Sequence, residues 1–190
     1  MELKKIHDYL IVIYHGGAEM FPYPTPNVRK RFYRMADCGA DFITAQHTHC
    51  IGCEEHYQNS YMLYGQGNFF LEHMKNPIAR QGLITEINFS EDLVRIKHHI
   101  VNVSSGKIVY DSKQDFGAFN KRSEEIVDEK LLETKYEEFI KNNEDLKKKY
   151  YQAYRGNFIG AKVFKRLFPK LFLQHIEKSY DKEKLSRIVF

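Results

Sequence analysis

Two short apolar runs joined by a single helix restrict this chain more than any other feature. Tyr9–Tyr14 and the alternating Asp41–Gln46 both read as short buried strands. Between them, Phe21–Pro26 holds three prolines, which fix the backbone and remove donors, so this segment is a rigid loop that cannot join a sheet interior. Thr25 or Asn27 then caps a helix, with Pro26 tolerated in its first turn. Val28, Phe32, Met35 and Ala36 fall at helical spacing, Arg29, Lys30, Arg31 and Arg34 take the other faces as a solvated surface, and Gly39 ends the helix. A strand, helix, strand unit of this kind implies a parallel pair with a right-handed crossover.

The strands end on residues that bind things. The first runs into His15-Gly16-Gly17 and the second into His47-Thr48-His49. A third strand, Tyr61–Tyr64, runs into Gly65-Gln66-Gly67-Asn68-Phe69, whose glycines permit backbone geometries closed to other residues. In an open α/β sheet, ligands collect beyond the carboxyl ends of the strands. Side chains two apart on extended backbone share a side, so His47 and His49 are expected to face one ion or one phosphate.

These residues carry a resemblance. His15-Gly16-Gly17-Ala18-Glu19, Pro24, Asp37–Asp41, His47-Thr48-His49, Glu55, Tyr57 and Tyr64–Phe69 resemble the CapA, or poly-gamma-glutamate capsule synthesis, family, without a gap from Asp37 to Phe69. Gly16 stands where that family usually has Trp, Gln46 where His or Gly is common, and Thr48 where Pro is common. The family is similar in fold to calcineurin-like metallophosphoesterases, whose sites hold two divalent metals between strand-end loops. The resemblance thus implies a mixed α/β fold: a partial metallophosphoesterase-like sheet with helices over residues 1–115, followed by a helical extension over 116–190. It puts His15, His47 and His49 at metal-ligand positions for Mn, Zn or Fe, names His15, His47 and Asn68 as catalytic, and has Asn68 and Glu19 shape the pocket. It covers about Asp8 to Asn88, the second half of the expected domain. The family's early Asp, Glu and Asn-His motif has no counterpart before Met1, and two ions about 3.5–4 Å apart need a bridging anion. One ion or none is therefore expected here, unless another chain or a swapped copy supplies the rest.

Beyond Gly82 the pattern changes. Leu83–Phe89 and Leu93–Val101 alternate around Ser90-Glu91-Asp92, a hairpin, and Lys107–Tyr110 forms a further strand after Ser104-Ser105-Gly106. His98 and His99 are neighbours on a strand and point to opposite faces, so they are structural or surface residues. Ser123-Glu124-Glu125 is expected to open a helix that Lys147-Lys148-Lys149 closes, with Asn142-Asn143 as a break.

Composition removes several classes. With 43% hydrophobic residues the chain has the makings of a core. No apolar run is long enough to span a bilayer, and His7 and Asp8 interrupt any signal-peptide core after Lys5, so a cytoplasmic or membrane-associated location is expected. Three cysteines do not close a disulfide framework; Cys50 and Cys53 leave a C-x-x-C open as a zinc or redox pair, against simple burial. Residues 151–190 hold nine Lys/Arg against three Asp/Glu, a net of +6 in a chain of +4. The apolar and basic residues of 158–179 therefore suit either an anionic membrane surface or packing on the domain or a second copy. Two functions remain: a metal-dependent phosphoesterase-like hydrolase of capsule biosynthesis, or a non-catalytic assembly factor. The first acts on a phosphorylated substrate or anionic polymer, and the second binds such a polymer or a membrane surface. No nucleic-acid partner is expected, and the sheet edge left open by the missing half favours a homodimer.

Overall fold

In the computed structural model the described residues are 2–69, 76–89, 94–104 and 107–143. A first compact unit takes in Met1–Leu132 and a second begins at Glu133. The 158–179 segment, the hairpin turn at 90–92 and the Lys147-Lys148-Lys149 run expected to close a helix lie outside the described residues.

After a short helix α1 (Glu2–Ile6), the chain forms β1 (Ile11–His15), α2 (Pro26–Asp37), β2 (Phe42–Gln46), β3 (Glu54–Tyr57) and β4 (Ser60–Leu63). The order in the sheet is β1-β2-β4-β3, with β1, β2 and β4 parallel and β3 antiparallel. The α/β class expected from the strand, helix, strand unit is the one observed. Thr25 caps α2, its hydroxyl accepting from the Val28 amide at 3.3 Å, and Pro26 takes the first turn. Lys4 of α1 and the Leu10 amide both reach the Asp41 carboxylate, at 2.6 and 2.7 Å, which ties the start of β1 to the start of β2.

Register decides what each strand buries. Ile11 pairs with Phe42 and Ile13 with Thr44, while Ile43 pairs with Met62. Val12, Tyr14, Ile43, Ala45, Met62 and Tyr64 join Val28, Phe32 and Ala36 of α2 in one core cluster. Phe42, Tyr61 and Leu63 enter a second cluster with Leu83, Ile100 and Phe119. The latter come from a second sheet, β5 (Gln81–Phe89), β6 (Val94–Ser104) and β7 (Lys107–Tyr110), and from α3 (Gly117–Glu125). Among the described residues β1 has no partner on its outer side, and Ile13 there is 72% exposed.

Two expectations need correction, and one strand carries no signal in the sequence. The strand β3 was not legible, because Glu54-Glu55-His56-Tyr57 lacks apolar alternation; it pairs β4 through a tight turn instead. The helix expected to open at Ser123 is two helices, α3 and α4 (Glu129–Asn142), and Glu124-Glu125 close the first rather than start one. Phe119 and Ile126 are buried, and that anchoring overrides the charge pattern. Arg29 is not solvated: it is buried and paired with Glu55 at 2.5 Å.

Candidate functional site

Parallel strands deliver the ends of β1, β2 and β4 to the same edge, and three loops interlock there. The loop after β1 wraps the loop after β2: the Gly16 amide donates to Gln46 O at 3.0 Å and the Met20 amide to Thr48 O at 2.8 Å. Thr48 is the wedge, buried between two glycines. A Cβ at Gly17 would lie 2.8 Å from Thr48 Cγ2 and one at Gly65 would lie 2.7 Å from Thr48 Oγ1, and both glycines have positive φ. No other residue type fits either place without moving backbone. The side-chain amide of Gln46 also donates to that of Gln66, which joins the second loop to the third.

Within this weave Glu19, His47 and His49 each offer a ligand atom, and these atoms lie within 4.8 Å of one another. All three side chains are half-buried. The His15 ring sits 5.1 Å from that of His47, and the His47 and His49 rings are 5.9 Å apart. His15 is exposed at the rim and lies outside the three-residue group. The histidine pair converges for a reason other than strand alternation. His47 has φ 104 and His49 φ 58, so the chain has left extended geometry, and a tight left-handed turn aims the two rings.

Burial first, then the charges of His15 and His49, hold the His47 imidazole below its ordinary range, against the opposing pull of Glu19. A neutral ring is what a metal ion requires. His49 is set by its neighbour. Asn68, 3% exposed, donates from Nδ2 to Ala79 O at 2.8 Å, which fixes its amide so that Oδ1 faces His49 Nδ1 at 2.8 Å. Since that oxygen can only accept, the bond requires the hydrogen on Nδ1, which in the neutral tautomer leaves the Nε2 lone pair to face outward. Asn68 thus stands behind His49 rather than in the group of three.

Glu19 is the residue to which the family resemblance gave only a pocket-shaping role, and it joins His47 and His49 in the group of three. Its signal in the sequence is a carboxylate four residues past His15 in a glycine loop. The C-x-x-C pair lies apart from the group. Cys50 and Cys53 are buried and unbridged, and burial pushes the Cys50 thiol up to about 11 and the Cys53 thiol higher still. Such thiols are inert packing residues. His98 and His99 likewise take structural partners, His98 between Tyr61 and Thr85 and His99 beside Glu86.

Residues 1–73 match the family model for the bacterial capsule synthesis protein PGA_cap, a span that contains all five residues of the site. The PGA biosynthesis protein CapA of Bacillus subtilis (strain 168) is 34% identical over 71 residues, which is 37% of this chain and 19% of that protein. The matched stretch therefore represents about a fifth of the curated relative's length.

Proposed function

We propose, from the match of residues 1–73 to the bacterial capsule synthesis protein family model and the likeness to CapA, that the chain serves synthesis of an anionic capsule polymer through one divalent-metal site. The observation that carries this reading is the convergence of Glu19, His47 and His49 within 4.8 Å at the carboxyl edge of a parallel sheet. Two imidazoles and a carboxylate suit Zn, Mn or Fe, and three protein ligands leave coordination positions open, the pattern of a working rather than a structural site. Such an ion lowers the pKa of bound water and polarises a phosphoryl or acyl oxygen.

The chain's own residues do the rest. Burial and neighbouring charge favour a neutral His47, and Asn68 holds His49 in the tautomer that exposes Nε2. His15, exposed on the rim beside His47, is placed to touch a phosphorylated or polymeric substrate rather than to complete the group of three. With a single ion and no second set of carboxylates among the described residues, the isolated chain is expected to show little hydrolytic turnover.

Metal analysis of the purified chain tests this. About one equivalent of Zn or Mn is expected, lost in a His47→Ala/His49→Ala double variant that keeps its circular dichroism. Asn68→Ala should weaken metal affinity by roughly 10–100-fold, the usual effect of removing a partner behind a ligand. A metal-free wild type that also behaves identically to the double variant would end the metal reading.

A further inference from the structure

Buried backbone donors nearly always have an acceptor, so a pair without one asks for an explanation. The loop from Gly16 to Phe21 holds such a pair. Its Gly16 and Met20 amides donate to Gln46 O and Thr48 O, and its Phe21 amide to Ala18 O. Between them the amides of Gly17 and Ala18 find no acceptor among the described residues, although both residues are buried. They are consecutive, Gly17 has φ +125, and a Cβ there would lie 2.8 Å from Cγ2 of Thr48, the residue between His47 and His49. In sequence they stand between His15, whose ring is 5.1 Å from His47, and Glu19, which belongs to the three-residue group. Successive amides in a non-repeating turn make a concavity that receives anions, and donors fixed in a water-poor place hold a developing negative oxygen at little reorganisation cost.

We propose that the Gly17 and Ala18 amides form an oxyanion pocket that receives a negatively charged oxygen of the substrate, phosphoryl or carboxylate, beside Glu19, His47 and His49. The inference deepens the site reading above by stating the chemistry of what docks there. It also gives Gly17 a second purpose: any side chain there would strike Thr48 Cγ2 in a backbone conformation that L residues rarely adopt, so the amide pair keeps its place only with glycine.

The test is a heteronuclear NMR titration of the full chain, with and without Zn, using inorganic phosphate in one arm and glutarate in the other. The Gly17 and Ala18 amide signals should move downfield and saturate. The anion that saturates at the lower concentration identifies a phosphoryl or a carboxylate group as the natural ligand. Ala18→Pro, which deletes one donor, should bind that anion roughly tenfold or more weakly while keeping its metal, in line with loss of a hydrogen bond to a charged group. If that variant does not fold, the wild-type shifts decide alone. Zn bound with both amide signals still under either anion would overturn this inference and leave the metal reading standing. Amide shifts in a chain that binds no Zn would do the reverse, and silence in both arms without metal binding would remove both.

Discussion

Arg29 and Glu55 show what a side chain can hide from a linear reading. Their side chains are 7% and 9% exposed, and Glu55 also accepts from Tyr33 at 2.7 Å and Tyr64 at 3.0 Å. Burial first, and then that carboxylate, raise both tyrosine hydroxyls above their ordinary range. Helical periodicity put Arg29 on a solvated face because a one-dimensional pattern cannot know that β3 brings a carboxylate to α2. The motif histidines were legible for the opposite reason: residue type and position at a strand end suffice, although the positive-φ turn that aims them was not. Removing one partner of a buried pair strands the other. Glu55→Ala should therefore cost about 3–5 kcal/mol in urea unfolding, and an Arg29→Met/Glu55→Leu double variant should recover most of it. Equal losses in the single and double variants would mean that the tyrosines, not the ion pair, set the cost.

At the scale of elements, the two sheets are joined by polar as well as apolar contacts. Glu54 of β3 accepts from Tyr61 of β4 and meets His98 Nε2 of β6 at 3.1 Å, while Thr85 of β5 meets His98 Nδ1 at 3.0 Å. Burial opposes the charge on Glu54, yet the hydrogen bonds from His98 and Tyr61 outweigh it and hold the carboxyl below its ordinary value of 4.5. A depressed folded pKa contributes stability that is present above the unfolded value and fades as pH falls through the folded one. Wild type should lose stability faster than Glu54→Gln as pH drops below about 4.5, so that the gap between their unfolding midpoints narrows. A gap that stays constant from pH 6 to 3 would show that the carboxylate's charge is irrelevant to the sheet contact. The alternation of β5 and β6 announced the hairpin, including the opposed faces of His98 and His99. Nothing in Glu54–Tyr57 announced an edge strand, since its stability comes from pairing with β4 and from these cross-sheet bonds rather than from its own apolar content.

For the molecule as a whole, the first sheet is shared property. Successive residues of β2 and β4 alternate between the two clusters, Ile43 and Met62 on the helix side, Phe42, Tyr61 and Leu63 on the side of the second sheet. That sharing was implicit in the sequence as period-two alternation, but which element would cover each face depended on contacts far apart in the chain. Because the same strands carry both clusters, a cavity on one face should weaken the other. Ile43→Ala and Leu63→Ala, both at fully buried positions, should each cost about 2–5 kcal/mol. The consequence is read by amide hydrogen exchange. In either variant the amides of Val12 and Ala45 should exchange faster by the same factor as those of Leu83 and Ile100, since all open in one cooperative step. Were Ile43→Ala to speed exchange only at β1 and β2, leaving Leu83 and Ile100 protected, the second sheet would be a separately stable body, and the strand-end loops would be held by the helix-side core alone.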